Sequence, residues 1–132
     1  MTRFVPCPIA LALALAFVQP AFTRQATDQP GPAPLGKLVD VGGRKLHLYC
    51  TGNGSPAVIL EAGAGGFSID WALVQPEMAK TTRVCSYDRA GCAGYGWSDP
   101  GPQWDTADQV ARDLETALKK AGEHPPYVLV GP

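Results

Sequence analysis

Hydrophobic and polar positions divide the chain into short apolar runs that are separated by glycine-rich turns. The runs at residues 37–41 and 44–50 flank Gly42 and Gly43, a two-residue signal for a β-hairpin. In the second run apolar and polar residues alternate, so one face of that strand is expected to be buried and the other to be wet. His47 falls on the polar face, and we expect it to be a surface histidine.

A different pattern begins at residues 58–60, where the apolar residues do not alternate with polar ones. Such a run is typical of a parallel strand that is covered on both faces. It leads into a turn that contains Gly63, Gly65 and Gly66, residues that allow positive φ and a close approach of a ligand to the backbone. Free N–H groups at the start of the following helix would then face any negative group.

The remaining runs predict strands at residues 83–87 and 127–130 and helices at residues 68–80 and 106–121. Pro76 is expected to kink or end the first of these helices. Strands that alternate with helices indicate an α/β fold with a parallel sheet and right-handed crossovers.

The helix at residues 106–121 carries the clearest signals. Thr106 and Gln109 form a capping box, and Gly122 gives the C-terminal stop. Its apolar residues follow one stripe that we expect to pack in the core. They are Ala107, Val110, Ala111, Leu114, Ala117, Leu118 and Ala121.

The N-terminal residues differ in composition from the rest of the chain. Arg3 precedes an apolar run at residues 9–18, which is typical of a secretory signal peptide and too short for a membrane span of about 20 residues. We therefore divide the chain into a signal peptide at 1–23, a disordered proline-rich linker at 24–36 and a domain at 37–132. The mature protein is expected to be exported, secreted or periplasmic, with no stable membrane span.

Composition narrows the range of partners. The 132 residues carry a formal net charge of −1, and 17% of them are charged, so nucleic-acid binding is not indicated. The two histidines and four cysteines lack the spacing of metal ligands. We therefore expect no metal and no cofactor.

Two functions are open for the glycine turn. It could cradle the phosphate of a dinucleotide, with Asp88 at the end of the next strand binding the ribose. Against this, Ser68 stands where the third glycine of that fingerprint belongs, Pro76 interrupts the helix, and a hairpin comes first. The predicted leader would also send the protein where nicotinamide cofactors are scarce. The other function is half of an oxyanion hole, in which a backbone N–H stabilises developing negative charge.

Four motifs in order resemble the N-terminal half of an α/β-hydrolase, at residues 60–66, 87–91, 94–99 and 127–131. The resemblance covers about residues 38–132. It implies the N-terminal part of an α/β-hydrolase sheet, with an antiparallel hairpin followed by parallel strands and crossover helices, and incomplete in this chain.

The glycine turn matches the family's loop after the third strand. That loop usually reads His-Gly-x, and the backbone N–H of the x residue is one oxyanion donor. Here Ala62 and Gly63 stand in place of His-Gly, and Ala64 falls on the donor position. The resemblance implies that the Ala64 N–H is the donor and that Gly63 and Gly65 support the loop.

The end of the next strand resembles the family's Asp-x-x-Gly-x-Gly-x-Ser signature, with residues 92–94 as a small insertion. The signature residues are expected to brace the loops beside the active site, not to serve as triad acid or substrate clamp. They are Asp88, Arg89, Gly91, Gly96 and Ser98.

The resemblance places the catalytic set outside this sequence. In the family the fifth strand runs into Gly-x-Ser-x-Gly, and here Gly131 and Pro132 supply only its first two residues. The acid and the histidine follow the nucleophile in the family, and neither His47 nor His124 is placed to serve as a base. The present portion is therefore expected to be inactive by itself.

The implied parent protein is an exported serine hydrolase that acts on small molecules, esters, amides or related compounds, without a cofactor. Relatives of this fold carry an aspartate at the same turn and open epoxides or displace halide. A non-catalytic exported binding module on the same scaffold and a dinucleotide-binding module are the alternatives.

The cysteines add one expectation from the same resemblance. Cys7 leaves with the leader, which leaves Cys50, Cys85 and Cys92. The second and fourth strands are neighbours in the family, so Cys50 would lie beside Cys85. In an exported protein such a pair can form a disulfide, and two buried free thiols are the alternative.

Overall fold

Five short strands form one mixed sheet in the computed structural model, which describes residues 34–91, 96–101 and 106–132. The strands are β1 (Lys37–Asp40), β2 (Lys45–Thr51), β3 (Ala57–Leu60), β4 (Val84–Tyr87) and β5 (Tyr127–Val130). Their order in the sheet is β1-β2-β4-β3-β5. The pairs β1–β2 and β2–β4 are antiparallel, whereas β3 is parallel to both β4 and β5. The predicted hairpin followed by parallel strands is confirmed.

The hairpin and the buried strand follow from their local sequence. Gly42 and Gly43 both take positive φ, 103° and 86°, which glycine adopts without steric cost and which turns β1 back onto β2. All four residues of β3 are buried, because β3 lies between β4 and β5 and both of its faces are covered.

The predicted C-terminal helix is present as α2 (Ala107–Ala121), and one detail of its cap differs. Thr106 Oγ1 accepts a hydrogen bond from the Gln109 N–H, and Gly122 ends the helix at φ 83°. The reciprocal half of the capping box is absent, because the Gln109 side-chain amide instead donates to Asp113 at 2.7 Å. The Gln109 side chain therefore links successive turns of α2 and does not cap its first turn.

The single helix predicted at residues 68–80 is wrong. The segment forms a 3₁₀ helix at Ser68–Trp71 and a short helix α1 at Gln75–Met78. Pro76 does not end a helix but lies in the first turn of α1, where its missing N–H has no helical partner to lose.

The helices cover both faces of the sheet, with α2 on one face and the 3₁₀ helix and α1 on the other. Ile59 belongs to a core cluster that includes Leu114 and Leu118 of α2. Val58 and Leu60 belong to a second cluster, against which Trp71, Met78 and Ala79 pack. Since successive strand residues point to opposite faces, α2 covers one side of β3, and the 3₁₀ helix and α1 cover the other.

The expectation of a surface His47 is wrong, since this side chain is only 1% exposed. Its ring lies 4.9 Å from the Trp97 ring, and its Nε2 contacts the Leu35 carbonyl. The polar face of β2 is thus covered by the loop at 96–99 and by residues 34–36, the last part of the predicted linker.

Several expectations fall outside the described residues. These are the signal peptide at 1–23, the linker up to residue 33, the insertion at 92–94 and the fates of Cys7 and Cys92. In the part of the chain that the structure describes, no helix has the length and apolar character needed to cross a membrane.

Candidate active site

The glycine turn lies next to the residues that follow β5, at the carboxyl ends of the parallel strands β3 and β5. Leu60 pairs with Val130, and the Glu61 N–H donates to the Val130 carbonyl at 2.8 Å. A Cβ built on Gly63 would lie 3.3 Å from Pro132 Cγ. Parallel pairing therefore brings the loop after β3 into contact with the residues that follow β5.

The loop after β3 is a tight turn with an exposed residue at its tip. The Gly66 N–H donates to the Gly63 carbonyl at 3.0 Å, and Gly65 takes φ 79°. Of the three glycines that allow positive φ, Gly65 adopts it and Gly63 and Gly66 do not. A Cβ on Gly66 would lie 2.2 Å from Asp70 Oδ2, the end of a side chain that could move aside. Ala64 is exposed, and its N–H has no acceptor among the described residues.

An arginine after β4 holds this turn from the side. Arg89 donates through Nη2 to the Gly63 carbonyl and through Nη1 to Glu61 Oε1 at 2.8 Å. The Tyr87 hydroxyl donates to the other oxygen of Glu61. Arg89 and Glu61 are about three-quarters buried, with side-chain exposures of 25% and 26%. The ion pair is therefore less screened than a surface pair.

Asp88 lies beneath the loops and is fully buried. Its Oδ1 accepts the Ser68 N–H at 2.7 Å, and its Oδ2 accepts the Trp97 N–H at 2.8 Å. A Cβ on Gly96 would lie 3.0 Å from Asp88 Cβ, which explains the need for glycine there. The N–H at the start of the 3₁₀ helix, considered above as a phosphate donor, thus binds a carboxylate of this chain.

The fifth signature position completes the bracing. The Ser98 hydroxyl donates to the Asp88 carbonyl and accepts the His47 N–H at 2.8 Å. These bonds tie the loop at 96–99 to β2 and to the end of β4. Gly91 takes φ 76° in a turn four residues after the end of β4.

His47 and Asp88 form a buried ion pair, with Nδ1 3.2 Å from Oδ2. Burial alone would raise the pKa of Asp88, but the contact with His47 and the N–H donors of Trp97 and Ser68 outweigh it and lower this pKa to about 2. For His47, burial would lower the pKa, whereas the contacts with Asp88 and the Leu35 carbonyl raise it by more. The Leu35 carbonyl requires a proton on Nε2. Nδ1 faces the Asp88 carboxylate without the geometry of a hydrogen bond, and protonation of the ring gives the pair its charge attraction.

The neighbouring Ser98, His47 and Asp88 do not form a catalytic triad. The Ser98 hydroxyl donates to a backbone carbonyl, not to the imidazole, and both ring nitrogens of His47 face other partners. Asp88 also cannot reach a ribose, because both its oxygens are occupied in the interior. This geometry removes the main support for a dinucleotide site.

The paired strands bring two cysteines together. Cys50 lies directly opposite Cys85 in the β2–β4 ladder, and their sulfurs are bonded. Together with Glu123 these are the three potential metal ligands that cluster within the described residues, at ligand-atom separations within 4.8 Å. Because the sulfurs are bonded to each other, they offer no thiolates to a metal ion.

Sequence reasoning missed Glu61, Tyr87 and the burial of His47. Glu61 and Tyr87 had a usable signal, because they lie at the carboxyl ends of β3 and β4, where neighbouring parallel strands bring side chains together. His47 had no local signal, since its cover comes from Trp97 and Leu35.

No protein-family model matches the chain. The chain is 34% identical over 99 residues to probable transporter efuK of Hormonema carpetanum, covering 71% of this chain and 14% of that protein. It is 35% identical over 75 residues to an AB hydrolase superfamily protein of Gibberella zeae, covering 57% of this chain and 23% of that protein. The chain spans between 14% and 36% of the length of the curated relatives it matches.

Solved structures show a likeness over a similar share of the chain. The enol-lactonase of Burkholderia xenovorans LB400 has a TM-score of 0.62 at 23% identity, over 72% of this chain and 36% of that one. The Cif epoxide hydrolase of Acinetobacter nosocomialis has a TM-score of 0.62 at 26% identity, over 72% and 29%. A thermophilic esterase of Thermogutta terrifontis has a TM-score of 0.59 at 26% identity, over 67% and 31%.

Proposed function

The chain belongs to the α/β-hydrolase fold family, of which it carries the N-terminal part, and on that premise we propose that the whole protein is a serine hydrolase. The single observation that carries the proposal is the position of Ala64. Ala64 is exposed, and its N–H has no acceptor within the described part of the chain. It lies on a turn whose Gly63 faces Pro132, beside the carboxyl end of β5. A nucleophile that follows β5 would stand beside this donor.

The reaction is acyl transfer. In the whole protein, the residue after Pro132 is a serine whose hydroxyl oxygen attacks the carbonyl carbon of an ester or amide, while a histidine from the following segment accepts its proton. The carbonyl oxygen gains negative charge and accepts a hydrogen bond from the Ala64 N–H, with the residue after the serine as the second donor. The leaving group departs with the proton, and water then releases the acid from the acyl-enzyme.

A second candidate differs only in the nucleophile. The chain is 26% identical to the Cif epoxide hydrolase of Acinetobacter nosocomialis, a value equal to that for the esterase of Thermogutta terrifontis. An aspartate after Pro132 would open an epoxide through a carboxylate ester intermediate. The identity of that one residue separates the two reactions.

We place the protein outside the cytoplasm, as the apolar segment at residues 9–18 suggests. The bonded pair Cys50 and Cys85 agrees with an oxidising compartment. N-terminal sequencing of the protein from the producing cells tests this placement, and an intact residue 1 would contradict it.

The function is tested on the full-length protein. It should react with a fluorophosphonate probe and hydrolyse p-nitrophenyl butyrate, and alanine at the residue after Pro132 should abolish both. The present 132 residues should show neither reaction. Turnover of styrene oxide without probe labelling would favour the epoxide hydrolase, and no turnover of either substrate would favour a binding module.

A further inference from the structure

The Ala64 N–H belongs to the backbone, so no side chain of Ala64 sets its direction. Its direction depends on the contacts that hold the peptide unit between Gly63 and Ala64. The peptide between Gly63 and Ala64 is planar and trans, so its C=O and N–H point in opposite directions. Whatever fixes the direction of the Gly63 carbonyl therefore fixes the direction of the Ala64 N–H.

Two donors hold that carbonyl. The Gly66 N–H lies 3.0 Å from the Gly63 oxygen, and Arg89 Nη2 donates to the same oxygen from the neighbouring strand end. The Gly66 bond belongs to the turn itself and would move with it. The bond from Arg89 is the one that ties the peptide to the sheet.

Arg89 is itself fixed by contacts that do not involve the loop. Nη1 donates to Glu61 at 2.8 Å, and Glu61 also accepts the Tyr87 hydroxyl. Glu61 follows β3 and Arg89 follows β4, and these two strands pair in parallel. The guanidinium of Arg89 is therefore anchored to the sheet. A planar guanidinium can hold a carboxylate and a carbonyl at the same time, which a single ammonium does less well.

Gly63 makes this anchor necessary. Without a Cβ its backbone rotates at low steric cost, and a rotation of the Gly63–Ala64 peptide would change the direction of the Ala64 N–H. We infer that Arg89 is a positioning residue, which holds the Gly63 carbonyl so that the Ala64 N–H points at the developing oxyanion. This inference rests on the proposed hydrolase function.

The chain contains a chemically matched control. Arg83, at the other end of β4, also bridges a glutamate and a glycine carbonyl, since it donates to Glu123 and to the Gly52 carbonyl at 3.0 Å. Its side-chain exposure of 29% is close to the 25% of Arg89. Arg83→Met therefore removes the same kind of bridge far from the candidate site.

The test compares Arg89→Met, Arg89→Lys and Arg83→Met in the full-length protein with p-nitrophenyl butyrate. Arg89→Met should lower kcat by roughly 10- to 100-fold, less than the roughly 10²- to 10³-fold loss typical when an oxyanion donor is removed, because the peptide still visits the correct direction. KM should change by less than about twofold, and binding of a trifluoromethyl ketone should weaken in proportion to kcat/KM. Arg89→Lys should recover part of the loss.

Arg83→Met should keep kcat and ketone binding within about twofold of the parent protein, even if its melting temperature falls. The inference is overturned if Arg89→Met matches Arg83→Met in kcat, or if its ketone affinity is unchanged while kcat falls. If Arg89→Met does not fold, Arg89→Lys carries the same comparison with a smaller expected loss. A parent protein without esterase activity would contradict the proposed function, a result distinct from either outcome for Arg89.

Discussion

An arginine bridges a glutamate and a glycine carbonyl at each end of β4, and the two bridges have different effects on the backbone. Arg83 precedes the strand and Arg89 follows it, and each joins a glutamate carboxylate to a glycine carbonyl. At the amino end the partners are Glu123 and Gly52, and at the carboxyl end they are Glu61 and Gly63. The residue types and the burial of the arginines are alike at the two ends.

What differs is the freedom of the glycine. A Cβ on Gly52 would lie 2.2 Å from the Thr82 carbonyl oxygen and 2.6 Å from that of Ala79, so this glycine is enclosed by backbone. Gly63 lies in an exposed turn beside Ala64. At Gly52, where the backbone is already enclosed, the arginine contacts only add stability. At Gly63, where the backbone is open, the same contacts set the direction of the peptide group.

The largest expected effect is the loss of stability when the buried charge of Asp88 is removed from the carboxyl end of β4. Asp88→Ala in the full-length protein should lower the free energy of unfolding by about 3–5 kcal/mol, because it leaves the N–H groups of Ser68 and Trp97 without their acceptor and the buried His47 ring without its counter-charge. Urea unfolding measures the change. Asp99→Ala, which removes one bond to the Lys45 N–H, should cost only about 1 kcal/mol, and equal losses would contradict the special role of Asp88.

A somewhat smaller effect concerns the bond between β2 and β4. Replacing both Cys50 and Cys85 by alanine should lower the free energy of unfolding by about 2–4 kcal/mol, because the bond closes a loop with a sequence separation of 35 and so restricts the unfolded chain. Urea unfolding with and without dithiothreitol tests this. The parent protein should lose the same amount on reduction, and the double variant should not respond to the reductant.

Amide hydrogen exchange sharpens the comparison between the two arginines. Arg89→Met should speed the exchange of the Gly66 N–H by roughly tenfold, because the carbonyl that accepts it becomes mobile, and Arg83→Met should leave it unchanged. Mass spectrometry of peptides that cover the turn measures the rates. Equal protection in the two variants would mean that the Gly66 bond alone fixes the turn.

The smallest expected effect is on pH dependence. His47 has a folded pKa above its usual 6.5, so its stabilising contribution is complete below pH 6.5 and is lost as the pH rises through the folded value. Asp88 has a folded pKa of about 2 against a usual 3.8, so its contribution is complete above pH 3.8 and is lost as the pH falls towards 2. The contribution of the pair should therefore be flat between pH 3.8 and 6.5.

Melting temperatures measured from about pH 3 to pH 9, on both sides of that range, test the pair. His47→Gln should remove the loss at high pH, whereas His124→Gln, in an exposed loop, should retain it. A parent protein whose melting temperature stays constant from pH 6 to 9 would contradict the assignment.

The elements that sequence predicted well are those with local causes. The unbroken apolar run of β3 specified burial on both faces, and Thr106 with Gly122 marked the ends of α2. The strand order, known from the family resemblance, put Cys50 opposite Cys85.

The features that sequence could not specify depend on contacts between distant segments. The burial of His47 requires Trp97 and Leu35, neither of which is encoded by the alternation within β2. The bond from Arg89 to Gly63 depends on the exact pairing of two strands and on the side-chain path of an arginine. A proline such as Pro76 fits either a helix end or a first turn, and packing decides between them.

The sheet order has a consequence for synthesis. β3 follows β2 in the chain but does not pair with it, because β4 lies between them. As the polypeptide leaves the ribosome, the apolar β3 therefore lacks its neighbours until both Val84–Tyr87 and Tyr127–Val130 have emerged. The strand that precedes the glycine turn keeps one edge unpaired while more than half of the described chain is made, and a chaperone that shields short apolar segments would act during that interval.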